Sequence, residues 1–210
     1  LRTMNAPSDP VRPDYGGRCV AGIVPALLGH GSRDWLPAPA RDARSVVLLV
    51  LDGLGWQAVE RHATLLSGLG SFEGGAVTTV APSTTATALS SIATGCSAAV
   101  HGMVGFRMRV GVDVLDVLHW SVGTAESKHD PVALQPEAPF FGRNTPVVTR
   151  SHFDETGFTR AHLRGSRPFG WRTTSMLVEH CGRLAREGAP FVYAYYDGVD
   201  IVAHNQGLSD

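Results

Sequence analysis

The stretch Val46-Val47-Leu48-Leu49-Val50-Leu51-Asp52-Gly53 decides the fold of this chain. Its six apolar residues form a short continuous run, which is typical of a strand buried on both faces of a parallel sheet. Residues 56–69 then carry apolar side chains at helical spacing. A second apolar run, 191–196, follows another helical pattern over residues 171–188. This order of elements predicts an α/β fold with a mainly parallel sheet flanked by helices.

The bulk composition excludes several classes of protein. The chain has 210 residues, 43% of them hydrophobic and 18% charged, which fits a folded domain rather than a disordered chain. A net charge of −1 offers no basic field for a nucleic-acid polymer. No apolar run is long enough for a membrane span, and no signal peptide is visible, so the expected location is cytoplasmic. The three cysteines form no CxxC pair.

The chain divides into a lead-in and one larger unit. Residues 1–45 are rich in proline and glycine and are interpreted as an irregular N-terminal lead-in. Residues 46–210 are interpreted as one catalytic domain, in which residues 76–80 are expected to form a second strand. The stretch 103–170 is either part of this domain or an insertion in it, and an antiparallel hairpin is expected within residues 103–118.

Acidic residues follow both apolar runs at the point where each predicted strand ends. Asp52 follows the first run, and Asp200 follows the second, with His204 four residues further on. Ligands of open α/β sheets bind beyond the carboxyl ends of the strands. Residues four apart on a helix share a face, so Asp200 and His204 are able to grip one ion. The alternatives stay open, because Asp52-Gly53 is also a common turn pair and surface helices often carry an Asp-x-x-x-His spacing.

Thr85 lies at the start of a predicted helix over residues 84–94. Either Thr84 or Thr85 is able to cap this helix. The N-terminus of a helix also attracts phosphate, and a bound divalent metal would lower the pKa of a threonine hydroxyl enough to make it a nucleophile. The segment therefore fits metal-assisted attack on a phosphate ester.

Taken together, these motifs resemble those of the alkaline phosphatase superfamily, and most closely the type I phosphodiesterase/nucleotide pyrophosphatase family. In chain order, the motifs are Val50-Leu51-Asp52-Gly53, Pro82-Ser83-Thr84-Thr85, Ala93-Thr94-Gly95, His101-Gly102 and Asp200-x-x-x-His204. The resemblance covers residues 46–106 and 190–207. It implies an alkaline-phosphatase-like fold and a site with two divalent metal ions, usually zinc (Zn2+), although the ligand types also suit Mn2+ or iron.

The resemblance also implies a role for each candidate site residue. Asp52 and Thr85 would belong to one metal, and Asp200 and His204 to the other. Thr85 would be the nucleophile, since it stands ten residues before Gly95, where the family places that residue.

Two features of the family pattern are absent from the sequence. The family commonly has an aromatic residue just after the nucleophile and an asparagine three residues after it, where this chain has Ala86 and Ala88. A nucleotide preference therefore does not follow from the resemblance. The family also completes its metal site with an Asp-His pair and a further histidine downstream of Asp200-x-x-x-His204. None of these follows here, so the chain is interpreted as an N-terminal fragment whose fold is incomplete at the C-terminus.

The function predicted from the sequence is metal-dependent hydrolysis of phosphate diesters or nucleotide-type pyrophosphates through a phospho-threonine intermediate. The expected partner is a small phosphate-ester substrate. Two alternatives remain at this point, a phosphomonoesterase or phosphomutase on the same scaffold, and an inactive truncated product.

Overall fold

The main sheet has four strands that run parallel to one another. The structure, a computed structural model, describes residues 10–69 and 71–207, and the side chain of Ser67 is not among the described groups. The sheet order is β1-β8-β6-β7. Its strands are β1 (Val46–Leu51), β6 (Pro146–Arg150), β7 (Arg167–Trp171) and β8 (Phe191–Tyr196). The α/β fold with a parallel sheet flanked by helices is thus confirmed.

The sheet depends on a pairing between distant parts of the chain. Each residue of β1 pairs in register with one of β8, from Val46 opposite Phe191 to Leu51 opposite Tyr196. Consecutive residues of a strand point to opposite faces, so β8 supplies side chains to two cores. Tyr193 and Tyr195 enter the larger one and Val192 enters the smaller.

Helices cover both faces of the sheet. In the described part of the chain they are α1 (Val20–Leu28), α2 (Ala38–Asp42), α3 (Trp56–Arg61), α4 (Thr85–Thr94), α5 (Ala98–His101), α6 (Pro131–Leu134), α7 (Gly157–Leu163), α8 (Thr174–Arg186) and α9 (Gly198–Gln206), with short 3-10 turns at Ser67–Leu69, Pro139–Gly142 and Ser151–Phe153. Helix α4 contributes Leu89 and Ile92 to the larger core. Helix α8 contributes Leu177 and Leu184 to the smaller core on the other face.

A second, antiparallel sheet shares no strand pairing with the main one in the described part of the chain. Its order is β2-β3-β4-β5, and its strands are β2 (Arg107–Val110), β3 (Asp113–Asp116), β4 (Ser121–Val122) and β5 (Ala125–Glu126). The hairpin expected within residues 103–118 is confirmed as β2 and β3. The stretch 103–170 therefore contributes to both sheets, because its later residues, 146–150, form a strand of the main sheet.

Three local expectations were wrong. Residues 76–80 form no strand, and only Thr78 makes an isolated bridge, to Cys19. The helix expected over 56–69 is broken into α3 and a short 3-10 turn. Strand β1 is not buried on both faces. It lies at the sheet edge, so Val47 and Leu49 remain 37% and 44% exposed.

The lead-in also contains ordered structure. Helix α1 contributes the fully buried Val24 to the larger core, to which α4 also belongs. The boundary between residues 1–45 and 46–210 stays a prediction. Across the part of the chain that the structure describes, no helix is long and apolar enough to cross a membrane.

The packing of α8 against the smaller core predicts that its buried side chains contribute much more to the free energy of unfolding than its exposed ones. Leu184 is 1% exposed, so Leu184→Ala should lower the free energy of unfolding by about 2–5 kcal/mol. Val178 lies on the same helix and is 63% exposed, so Val178→Ala should change it by less than about 0.5 kcal/mol. Urea denaturation of both variants measures the difference. Equal losses would mean that α8 does not pack as observed.

Candidate functional site

Asp52 is held at the carboxyl end of β1 by three hydrogen bonds. Its backbone N–H donates to the Tyr196 carbonyl at 2.9 Å and so extends the β1–β8 ladder by one residue. The Gly53 N–H donates to Oδ1 at 3.0 Å, and the Tyr195 hydroxyl donates to Oδ2 at 2.7 Å. Both carboxylate oxygens keep acceptor capacity beyond these bonds. Asp52 is therefore fixed in position but still able to accept another ligand.

Tyr195 donates a hydrogen bond to Asp52 and keeps its own proton. Burial, followed by the hydrogen bond to Asp52 and the charge of that carboxylate, raises the pKa of Tyr195 well above its ordinary value. The phenol therefore remains protonated, and its O–H keeps donating to Asp52. A hydrogen bond donated to a carboxylate stabilises the ionised form.

The turn after β1 packs directly against the start of α9. Gly53 adopts a φ of 77°. A Cβ atom placed on Gly53 would lie 2.6 Å from the Asp200 Cα and 2.8 Å from its backbone nitrogen. Glycine is thus required here both by its backbone conformation and by the close approach of Asp200. This contact brings the loops that carry Asp52 and Asp200 together, although the two residues are far apart in sequence.

Asp200 and His204 share one face of α9. The His204 Nε2 atom lies 3.6 Å from Asp200 Oδ1, and the histidine side chain is largely exposed. Burial, and then the negative charges of Asp52 and Asp197, raise the pKa of Asp200, while His204 partly opposes this. Within residues 10–69 and 71–207, no lysine or arginine forms an ion pair with Asp52 or Asp200.

Asp197, the third carboxylate at this edge, is paired with an arginine. The Arg150 Nε atom lies 2.6 Å and 2.7 Å from the two Asp197 oxygens, and Asp197 is buried. The Arg150 guanidinium also stacks over the Trp171 ring, 4.6 Å from its centroid. The ion pair leaves Asp52 and Asp200 as the carboxylates available to a ligand.

Thr85 is the first residue of α4 and is half-buried. Thr84 takes the N-cap position before it, and its hydroxyl lies 3.1 Å from the Thr87 hydroxyl. In the described structure no hydrogen bond involves the Thr85 hydroxyl, and none links Thr85 to Asp52, Asp200 or His204. The structure thus brings Asp52 close to Asp200, and Asp200 close to His204, but shows no direct contact from Thr85 to this group.

His101 has a structural role. It is fully buried, and the Met103 N–H donates to its Nδ1 atom at 3.1 Å. The ring proton therefore resides on Nε2, which donates to the Ser91 hydroxyl at 2.7 Å. Burial lowers the pKa of His101 to about 4, so the ring is neutral at pH 7. This bond ties α5 to α4 and contributes no base to the edge of the sheet.

Two residues that matter at this edge were missed by the sequence analysis. Tyr195 and Arg150 are separated from their partners, Asp52 and Asp197, by 143 and 47 residues. The alternation of aromatic side chains along β8 was visible in the sequence and could have suggested that one tyrosine points towards the end of β1. No local signal identified Arg150, because its strand was not recognised.

The donor types at this edge suit a divalent cation, but the set is small. Two carboxylates and an imidazole are ligands that zinc, manganese and iron accept. Among the residues described here, no three or more His, Cys, Asp or Glu side chains converge as a ready metal site. The assignment of Asp52, Thr85, Asp200 and His204 as metal ligands therefore stays a prediction.

One comparison with known proteins gave a match. Residues 46–210 match the family model described as type I phosphodiesterase / nucleotide pyrophosphatase. Comparisons with curated proteins and with solved structures found no match.

The Gly53 contact predicts an unusually costly substitution. Gly53→Ala should combine the strain of a positive φ with a clash against the Asp200 backbone. Gly111 is the matched control, because it has a φ of 62° but a Cβ atom placed on it would have nothing within 4 Å. Gly53→Ala should therefore cost about 1–3 kcal/mol more than Gly111→Ala in urea denaturation. Identical costs would show that the Asp52 and Asp200 loops do not touch.

The raised pKa of Asp200 predicts a pH dependence of stability. A carboxyl group whose pKa is raised by folding binds its proton more tightly in the folded state, so the free energy of unfolding falls as the pH rises from 3.8 through the raised value. Asp200→Asn removes this loss. The stability of the variant relative to the native chain should therefore increase with pH across that window, measured by urea denaturation with chelator present.

The exposed Asp154 provides the control for this measurement. Asp154→Asn should show a smaller change in relative stability over the same pH range. A flat profile for Asp200→Asn would contradict the proposed crowding of carboxylates.

Proposed function

Because the chain belongs to the type I phosphodiesterase / nucleotide pyrophosphatase family, we propose that it hydrolyses phosphate diesters or nucleotide-type pyrophosphates with the help of divalent metal ions. The observation that carries the proposal is the contact between the Asp52 and Asp200 loops at the carboxyl edge of the sheet. Ligands of open α/β sheets bind at this edge.

The electrostatics of the edge favour a cation. Burial and then repulsion from the Asp52 carboxylate raise the pKa of Asp200, and among the described side chains only His204 opposes this effect. A divalent ion would remove this repulsion and keep both carboxylates ionised. We propose two such ions, with zinc as the first candidate. Asp52 and Thr85 would belong to one ion, and Asp200 and His204 to the other.

Bound metal ions would supply Lewis-acid stabilisation of the phosphoryl oxygens and lower the pKa of a coordinated hydroxyl. Asp52 is suited to hold its ion because hydrogen bonds from the Tyr195 hydroxyl and the Gly53 N–H fix its carboxylate. Both Asp197 oxygens already accept from the Arg150 Nε–H, so Asp197 is not among the proposed metal ligands. The protein therefore presents two of its three carboxylates at this edge.

Thr85 is the proposed nucleophile. Its Oγ would attack the phosphorus and form a phospho-threonine ester, while the hydroxyl proton would pass to the oxygen of the alcohol or phosphate that leaves on the opposite side. Water would then attack the same phosphorus, one of its protons would go to the Thr85 Oγ, and the phosphorylated second product would be released. The first-turn N–H groups of α4 favour the negative charge of the phosphoryl group at this position. The Thr85 hydroxyl makes no hydrogen bond in the described structure and is free for this role.

The two adjacent threonines provide a sharp test of the nucleophile. Thr85→Ala should reduce the turnover of bis(4-nitrophenyl) phosphate to background, because the attacking oxygen is removed. Thr84→Ala should retain most of the activity, since Thr84 is the N-cap residue and its hydroxyl contacts only Thr87 in the described structure. Steady-state kinetics with added zinc measures both.

Circular dichroism of the two variants controls for loss of the helix. Equal losses of activity would mean that both threonines merely cap α4. A panel that includes 4-nitrophenyl phosphate would separate the proposed diesterase from a phosphomonoesterase, because the diesterase should prefer the diester.

A further inference from the structure

A cationic cleft opens at the same edge of the sheet, beyond the carboxyl ends of β6 and β7. It has a volume of about 430 Å³ and is lined by Arg150, Ser151, His152, Trp171 and Arg172. None of these five side chains is acidic. Two carry guanidinium groups, of which Arg150 is paired with the buried Asp197, so Arg172 supplies the net positive charge. The cleft therefore favours an anionic ligand.

The guanidinium groups of the cleft retain unused donors. Arg150 uses its Nε atom for Asp197, and no hydrogen bond in the described structure engages its terminal Nη groups. Arg172 is exposed and forms no ion pair with any described residue. A planar guanidinium group presents paired N–H donors that match phosphate and carboxylate oxygens.

A long helix adds to the positive potential of the cleft. Arg172 immediately precedes Thr173, the N-cap residue of the 13-residue helix α8. The Thr173 hydroxyl accepts from the Met176 N–H at 3.4 Å and lies 3.0 Å from the Ser175 hydroxyl. The N-terminus of a helix carries a partial positive charge and unpaired N–H groups, which favour an anion. Helix, arginines and cavity thus point to the same ligand chemistry.

The floor of the cleft is rigid. Trp171 is 1% exposed, and its indole N–H donates to the Tyr195 carbonyl at 3.2 Å. A Cβ atom on Gly170 would lie 2.9 Å from the Ser151 Cβ, so the two walls pack tightly against each other. The Trp171 floor and the Arg150 guanidinium are therefore held in place before a ligand arrives, which lowers the entropic cost of binding.

The cleft lies within reach of Asp52 along the same edge of the sheet. Sheet order places β6 two strands and β7 three strands away from β1. Since neighbouring strands lie roughly 4.8 Å apart, Arg150 and Arg172 lie roughly 10–15 Å along the edge from Asp52. One small substrate is able to span this distance.

We propose that this cleft binds a second anionic group of the substrate, a phosphate or a carboxylate, while the scissile phosphate lies at Asp52 and Asp200. The assignment rests on the proposed function for the position of the scissile bond. With this cleft, the protein should prefer substrates that carry two separated anionic groups. The cleft also gives the chain a specificity element in residues 150–172, outside the motifs that carry the family resemblance.

Binding of inorganic phosphate to the full chain tests the cleft without any turnover. The indole N–H of Trp171, one of four tryptophans, reports on the floor of the cleft in a 1H–15N NMR titration. We expect a saturable shift of this signal. Arg172→Gln should weaken the apparent Kd by about tenfold or more, because it removes a charge-assisted hydrogen bond.

Arg186→Gln is the matched control, because Arg186 is an exposed arginine at the opposite end of α8. It removes the same charge and should leave the Kd for phosphate unchanged. Absence of a saturable Trp171 shift, or equal weakening by both variants, would overturn the cleft as an anion site.

A matched pair of substrates tests whether the cleft binds an anionic group of the substrate or only free phosphate. The pair is 4-nitrophenyl octyl phosphate and its analogue with a phosphate at the end of the octyl chain. In the native protein the analogue should have the lower KM, and Arg172→Gln should reduce this preference about tenfold or more. If Arg172→Gln weakens phosphate binding but leaves the KM ratio unchanged, the cleft binds only free phosphate and the substrate assignment is wrong.

Asp52→Asn distinguishes failure of this inference from failure of the proposed function. It should abolish turnover yet preserve the Trp171 shift with phosphate. Retention of full turnover by Asp52→Asn would contradict the proposed function while leaving the cleft intact.

Discussion

The parallel pairing of β1 with β8 is the constraint on which the rest of the structure depends. Six consecutive pairs hold residues 46–51 against residues 191–196, and the Asp52 N–H extends the ladder to Tyr196. This register places the two loops that leave the strands side by side. Gly53 then allows the Asp200 backbone to approach more closely than any side chain would permit. A slip of one residue would turn Tyr195 away from Asp52 and separate the carboxylates.

The carboxyl edge of the sheet separates its charges into two regions. Near β1, Asp52 and Asp200 form an acidic pair that attracts cations, and the Tyr195 hydroxyl orients the Asp52 carboxylate. Near β6 and β7, arginines and the start of α8 form a region that attracts anions. The Arg150–Asp197 pair lies between them. This buried pair prevents a third carboxylate from competing with Asp52 and Asp200, and it keeps the guanidinium group oriented over Trp171.

The sequence was sufficient to predict the elements with strong local patterns. β1, β8 and α4 were predicted correctly because each is a continuous apolar or periodic run. β6 and β7 were missed because Pro146, Pro168 and Gly170 are typical of loops. Pro146 is tolerated as the first residue of its strand, and Pro168 and Gly170 are tolerated because β7 lies at the sheet edge. The ion pair of Arg150 with Asp197 could not be predicted from a local sequence pattern because it depends on tertiary packing. Metal ligation by the four predicted residues and the role of Thr85 stay predictions.

Zinc titration followed by 13C NMR of the aspartate carboxyl carbons tests the central claim most directly. The carboxyl signals of Asp52 and Asp200 should shift together and saturate as zinc is added. The signal of Asp197 should stay nearly constant, because both of its oxygens are bound to Arg150. A shift of Asp197 with unchanged Asp52 and Asp200 signals, or no response of any of the three, would contradict a metal site at the β1–β8 edge.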